Sequence, residues 1–207
     1  MNDLFAQAER GLEQLPLPDA DVRFQRALYP AAQCRTLLHQ LMDETDWRHE
    51  QITLHGKSHW QPRLVALHGD AGLAYTYSGL TLPMQPWTPL LSRLRQDIEN
   101  IAGASFNSVL LNWYRDEQDS MGWHSDDETS LGTTPVIASL SLGATRLFKL
   151  KHKTRAELST TKLALTDGSL LLMAGSTQRC WKHAVDKSRE ACDARINLTF
   201  RRIIQTA

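Results

Sequence analysis

Trp123-His124-Ser125-Asp126 sets an imidazole and a carboxylate two positions apart. On a strand, residues i and i+2 point to the same side, so His124 and Asp126 can reach one ion together. A third ligand must come from elsewhere, and His183 follows after several strand-like segments. Two imidazoles and one carboxylate gathered on one side of an ion leave positions open on the other. That suits a non-haem Fe(II) centre, which also has to bind a bidentate co-substrate and O2. Zinc accepts the same ligand types, and a bare HxD with a distant histidine also arises by chance, so the surroundings decide.

The final strand-like segment, Arg195-Ile196-Asn197-Leu198-Thr199-Phe200-Arg201, alternates strictly. Ile196, Leu198 and Phe200 form an apolar face, and Arg195, Asn197, Thr199 and Arg201 a polar one. If the apolar face packs on a core, the polar face looks into a cavity or out to water. The two arginines are about 20 Å apart along a strand, but their long side chains can lean inward and grip both ends of a small dianion. The planar guanidinium fork pairs with a carboxylate bidentately. Asn112 and Tyr114 share one face of an earlier segment, where an amide and a phenol can add hydrogen bonds to the same carboxylate. An amphipathic strand with a solvated polar face is the competing reading.

Two helices and a set of strands must position these groups. Cys34, Leu37, Leu38, Leu41 and Met42 fall at helical spacing, as do Trp87, Leu90, Leu91, Leu94, Ile98 and Ile101. Pro86 and Pro89 sit where a helix start tolerates proline. From Asn107 onward short strands are predicted at 107–115, 122–126, 135–142, 144–151, 162–166, 169–173 and 194–203. They are separated by turn signals such as Gly143, Asp167-Gly168 and Gly175. Arg63–Leu67 and Leu73–Tyr77 add candidate strands before the second helix. This order predicts an α+β protein built on a β-sandwich or jelly roll.

The 207 residues fit a single domain, 1–207, with 1–20 as a loosely attached N-terminal arm ending in Leu15-Pro16-Leu17-Pro18. Hydrophobic content of 42% and charged content of 22% are those of an ordinary soluble globular chain. No apolar run approaches the ~20 residues of a membrane helix, and Met1–Gly11 lacks the apolar stretch of a secretory signal. Three cysteines in no metal-type spacing favour a reduced, cytoplasmic setting. Lys+Arg and Asp+Glu both number 23, so a nucleic-acid partner would have to be held by a local patch rather than by a global basic field. Nothing argues against a monomer.

The chain resembles the AlkB family of Fe(II)/2-oxoglutarate-dependent nucleic-acid dealkylases. The resemblance is carried by Asn112-Trp113-Tyr114, His124-Ser125-Asp126-Asp127-Glu128, the segment Pro135–Gly143, His183 and Arg195–Arg201. Pro62-Arg63 and Gly69–Gly79 further resemble the DNA-repair branch containing the second and third human homologues. The resemblance runs from about Ile52 to Arg202 and implies a double-stranded β-helix (jelly-roll) core with flanking helices. It implies iron on His124, Asp126 and His183. It also implies 2-oxoglutarate held by Asn112, Tyr114, Arg195 and Arg201, with Asn197 and Thr199 close by. The implied reaction is oxidative demethylation of 1-methyladenine and 3-methylcytosine with O2, as direct-reversal DNA repair.

Such a lesion lies on the pairing edge, so the base must leave the stack to be reached. The resemblance puts Tyr75 and Tyr77 in a substrate lid where one could stack on the base. Glu128 could accept from an exocyclic amine, and Asp127 could tether an arginine of the last strand. His55–Trp60 with Arg63 is one candidate loop over the duplex, with Leu54, His55 or Trp60 as a wedge. Arg146, Lys149, Lys151, Lys153 and Arg155 form a second basic cluster for phosphates. The expected partner is alkylated DNA, single- or double-stranded. The alternatives are the same oxygenase chemistry on RNA or a non-nucleic substrate, a non-catalytic jelly-roll binding module, and a zinc hydrolase. The last leaves Arg195 and Arg201 unexplained.

Overall fold

The period-two alternation of the second half resolves into two facing antiparallel sheets. The computed structural model describes residues 11–54, 57–73, 76–77, 80–81 and 83–204, with the side chains of 53–54, 76–77 and 80–81 left aside. The strands are β1 (Glu13–Gln14), β2 (Asp21–Gln25), β3 (Gln51–Leu54), β4 (Lys57–Trp60), β5 (Leu64–Gly69), β6 (Thr76–Tyr77) and β7 (Leu80–Thr81). They continue as β8 (Ser108–Tyr114), β9 (Met121–His124), β10 (Ile137–Gly143), β11 (Arg146–His152) and β12 (Thr161–Leu165). The last three are β13 (Leu170–Ala174), β14 (Trp181–Val185) and β15 (Arg195–Arg201). Among the described residues the helices are α1 (Ala31–Glu44), α2 (Pro89–Ala102) and the single turn α3 (Thr177–Cys180). Among the described residues the major sheet runs β1-β2-β13-β10-β15-β8-β5 and the minor sheet β12-β11-β14-β9, with β3–β4 and β6–β7 as separate hairpins. This is a jelly roll.

Alternation along each strand of the major sheet sorts its side chains into two cores. Leu140, Leu142, Leu111, Ile196, Leu198 and Phe200 face one way and pack with Leu37, Leu41, Leu91, Leu94 and Ile98 of the two long helices. Ile137, Leu110, Leu171 and Met173 face the other way and meet Phe148, Leu150, Trp181 and Val185 of the minor sheet. Most of each helical stripe read from the sequence buries, while Leu38, Met42 and Ile101 are half-buried, as is Trp87, which lies ahead of α2. Burial stabilises by about 1.5–3 kcal/mol for each large apolar side chain, which anchors β15 through Ile196, Leu198 and Phe200. Helix α2 starts with Pro89 and Thr88 Oγ1 accepting from Leu91 N at 3.1 Å. It ends at Gly103, whose φ of 63° is left-handed. Gly143 (φ 89°) ends β10 in the same way, where a Cβ would run into the Ala194 carbonyl beside the first residue of β15.

Two expectations change. Residues 11–20, read as part of a loose arm, are tied to the body. Strand β1 pairs with β2, Leu15 and Leu17 pack into the inter-sheet core, and Trp181 Nε1 donates to Pro18 O at 2.9 Å. Residues 1–10 lie outside the described part. Strand β9 stops at His124, so Asp126 is not on a strand. A stretch of sequence can alternate without a partner, but only a hydrogen-bonded ladder holds the pleat, and here the pairing to β14 ends at His183↔His124.

The loop leading into β9 is held by a buried carboxylate. Asp119 accepts from Arg115 N (2.9 Å), Nε (2.8 Å) and Nη2 (2.9 Å). Burial pushes its carboxyl up, but the Arg115 bonds outweigh this and hold it below the ordinary range. A depressed folded-state pKa contributes stability above the unfolded value and loses it as pH falls through the folded one. Asp119→Asn should therefore cost about 1–2 kcal/mol at neutral pH, and the gap should close on acidification below the carboxylate range. Urea melts of both proteins across pH check this. A gap that stays constant into acid would remove ionised Asp119 as the cause.

Candidate active site

Between the two sheets the polar face of β15 meets β14 and the end of β9. All seven residues of β15 are buried, so its polar side is not solvated. Arg195, Asn197, Thr199 and Arg201 line one cavity with Asn112, Tyr114, Ser139, His124, Asp126 and His183. All nine residues expected to hold iron and 2-oxoglutarate thus converge. Its apolar wall includes Met121, Phe148, Leu165, Met173 and Val185.

The ligand-type atoms of His124, Asp126 and His183 lie within 4.8 Å of one another. His183 projects inward from β14, with Nε2 3.6 Å from Asp126 Oδ2 and Phe148 stacked on its ring at 5.1 Å. The His124 ring meets that of His183 edge-on at 4.2 Å, and its Nδ1 lies 2.8 Å from Gly122 O. A protonated Nδ1 there turns Nε2, as the lone-pair nitrogen, to the cluster. Burial, reinforced by neighbouring His124, pushes His183 down to about 3. Burial likewise lowers His124. Burial would raise Asp126, but Arg201 and the two imidazoles hold it below the usual carboxylate range. Two neutral imidazoles and one carboxylate are the protonation states a divalent cation requires, so the donor set fits one.

Arg195 is 1% exposed and donates from Nη2 to Ser141 Oγ at 2.9 Å. Its Nε and Nη1, equally buried, meet no acceptor in hydrogen-bonding geometry among the described residues. Burial pulls this guanidinium below its ordinary value, with Tyr114 opposing and Arg146 adding to the shift. A buried cation with spare donors fits an incoming carboxylate. Two guanidinium groups lie over the Tyr114 ring, with Arg195 Cζ at 5.0 Å and Arg146 Cζ at 5.6 Å from its centroid. Asn197 Nδ2 donates to Ser139 Oγ (2.8 Å), and Thr199 Oγ1 to Asn197 Oδ1 (2.9 Å). Arg201 leans the other way and pairs with Asp126 Oδ1.

Other expected roles move. Asp127 is tethered by Lys153 Nζ at 2.9 Å, and the arginine of the last strand goes to Asp126 instead. Arg63 is 3% exposed and donates from Nε to Asn112 Oδ1 at 2.7 Å, so it belongs beneath the site rather than to a loop over a duplex. Arg146 is buried, with Nη2 donating to Asp119 O (2.8 Å) and Asp186 O (2.6 Å), and offers nothing to phosphate. Lys149 pairs with Asp186, and Arg155 with Glu157 (2.8 Å) and Asp19 (3.2 Å). Lys151 and Lys182, partners across β11 and β14, remain exposed side by side. Glu128 is partly buried at the start of a 3₁₀ turn (Thr129–Leu131) and is not among the cavity-lining residues. Tyr75 and the side chain of Tyr77 lie outside the described residues, as do His55 and the side chain of Leu54.

Sequence reasoning missed Arg63 as a support, Gln178, Ser139 and Ser141. The two serines carried a legible signal, since they are the polar members of an otherwise apolar alternating strand. Gln178, whose Oε1 accepts from Asp126 N at 2.9 Å, sits in a one-turn helix with no periodicity to betray it.

Comparison with known proteins agrees with this geometry. The profile of the 2OG-Fe(II) oxygenase superfamily matches residues 21–201. Alpha-ketoglutarate-dependent dioxygenase alkB homolog 3 of Rattus norvegicus is 43% identical over 175 residues, which is 81% of this chain and 59% of that protein. DNA oxidative demethylase ALKBH2 of Mus musculus is 42% identical over 162 residues, 75% of this chain and 68% of the relative. The chain therefore spans about three fifths to two thirds of the length of these relatives. The solved structure of OsALKBH1 superposes with a TM-score of 0.63 at 16% identity, covering 93% of this chain and all of that one, a likeness of fold alone. With the triad, the buried arginines and these matches together, the chain belongs to the 2OG-Fe(II) oxygenase superfamily, among its AlkB homologues.

Proposed function

We propose that this protein uses Fe(II), 2-oxoglutarate and O2 to remove alkyl groups from N-alkylated bases, 1-methyladenine and 3-methylcytosine in DNA foremost. The observation that carries this reading is the convergence, in one inter-sheet cavity, of a three-ligand cluster and a buried arginine with donors that meet no acceptor among the described residues. The name DNA oxidative demethylase, borne by the mouse relative, supports the substrate class. His124, Asp126 and His183 would hold the iron. Arg195 would grip a carboxylate of 2-oxoglutarate with Tyr114, Asn112 and Arg201 alongside, and Asn197 and Thr199 would lie against it.

Together the bound iron and co-substrate supply an oxidation: 2-oxoglutarate and O2 become succinate and CO2, the N-alkyl carbon is hydroxylated, and the C–N bond then breaks to release an aldehyde. The chain orients and encloses. Arg63 takes Asn112 Oδ1, which leaves Nδ2 as the amide end available to a ligand. The Arg146 and Arg195 guanidinium groups over the Tyr114 ring hold it in place. Met121, Phe148, Leu165 and Val185 keep water from the reacting groups. For the nucleic acid, Trp60 is 59% exposed on the β3–β4 hairpin with His49 at 4.7 Å, a surface on which a base could stack. Lys151 and Lys182 would meet phosphates. Tyr75, Tyr77 and Glu128 remain the proposed base contacts. We take the chain as a single domain that acts as a monomer in the cytoplasm, with α1 and α2 flanking the jelly roll. Among the described residues no helix is long and apolar enough to cross a membrane.

Mass spectrometry of methylated oligonucleotides tests this. Protein loaded anaerobically with Fe(II), then given 2-oxoglutarate and air, should strip one methylene mass from 1-methyladenine and 3-methylcytosine. Single- and double-stranded DNA and RNA are compared side by side. Loss that requires both iron and 2-oxoglutarate establishes the dealkylase, and the preferred strand gives the substrate class. Succinate formed with no mass loss on any strand would keep the oxygenase and discard these substrates.

A further inference from the structure

Asp126 lies two residues past the end of β9, beyond the last paired residue of the sheet, and still meets the two histidines. Something other than the ladder must hold it. Each of the three residues after His124 is fastened to the segment that precedes His183. Ser125 Oγ donates to Trp181 O at 2.9 Å, and Asp126 N donates to Gln178 Oε1 at 2.9 Å. Lys153 Nζ bridges Asp127 Oδ2 (2.9 Å) and Gln178 O (2.8 Å), while its own amide donates to Cys180 O at 2.8 Å. Gln178 is 2% exposed; among the described residues its Nε2 finds the Met173 sulfur at 3.5 Å, and its strong side-chain bond is the one to Asp126.

We propose that Gln178 is a positioning residue: it holds the backbone of Asp126 so that its carboxylate faces the two imidazoles, and Lys153 fastens the clamp from outside. An amide suits the task because it accepts from a buried N–H without adding a second negative charge beside Asp126. The clamp also couples the two ligand-bearing segments, since Gln178 and His183 belong to one short stretch. This inference rests on the metal reading of the triad.

Co(II) titration of metal-free protein, followed by visible absorbance, reads the clamp without any turnover. Gln178→Met keeps length and volume but loses the acceptor, and should weaken Co(II) binding about 10- to 100-fold, the usual effect of removing a group that orients a ligand. Gln178→Glu keeps an acceptor at the same reach, and its added negative charge favours a bound cation, so its Co(II) affinity should equal or exceed that of wild type. A role in folding alone would shift melting temperature in Gln178→Met and leave Co(II) affinity unchanged, which would overturn the proposal. So would equal losses in the two variants. If Gln178→Met does not fold, Lys153→Met decides. Removing a cation near the site favours a bound cation electrostatically, so weaker binding supports the clamp, and equal or tighter binding overturns it. His183→Ala separates the two levels. If wild type binds no Co(II), or binds it as well as His183→Ala does, the metal reading itself has failed. If those controls behave and Gln178→Met matches wild type, only the clamp falls.

Discussion

Replacing His124 by alanine should lower turnover by about 10³-fold or more while leaving a folded protein. With three protein ligands proposed for the ion, losing one would remove a large share of the binding free energy. The His124 ring lies at the cluster's partly exposed side, at the end of β9, and its Nδ1 lies against Gly122 O of its own strand. Asp126→Ala should abolish turnover as well, but at a cost in stability. It leaves the buried Arg201 guanidinium without its carboxylate, a loss of about 3–5 kcal/mol for a broken buried pair. The two variants together distinguish ligand loss from unfolding. Succinate formation and thermal melts are the measurements. Turnover retained in folded His124→Ala would sink the metal assignment.

Arg195→Met should raise the 2-oxoglutarate KM by about 10²-fold, as expected for two charge-assisted hydrogen bonds together worth about 3 kcal/mol. The same change should not lower the stability of the ligand-free protein, and could raise it. Arg195 is buried with two nitrogens lacking acceptors among the described residues, and an apolar side chain of similar length ends that penalty. A rise in KM joined to an unchanged or higher melting temperature is the signature of a group kept for a ligand rather than for the fold. An unchanged 2-oxoglutarate requirement would remove Arg195 from the site. Arg201 is a poorer probe, because its bond to Asp126 mixes metal and co-substrate effects.

Much of the fold was legible because burial follows period. The helical stripes of α1 and α2 and the strict alternation of β15 each read correctly, since a residue's face is set by the local backbone. What local pattern left open was the destination of the polar faces. Arg195, Asn197, Thr199 and Arg201 alternate just as a solvated strand would, and only the packing of β14 and β9 across from β15 makes that face the wall of a cavity. Arg146 and Arg63 looked like surface cations for the same reason. Both are buried and bonded to backbone carbonyls or to Asn112.

The residue types and their order by themselves offered the candidate donor set: two imidazoles, a carboxylate, and two arginines on one alternating strand. Tertiary structure decided how they meet. The i, i+2 rule placed His124 and Asp126 together on a strand, yet the strand ends at His124. Asp126 is oriented by Arg201, from 75 residues away, and by Gln178, from 52 residues away. Periodicity reports only which way a side chain leaves its own backbone. Where the ladder stops, position is set by hydrogen bonds to distant segments, and those exist only once the sheets have packed.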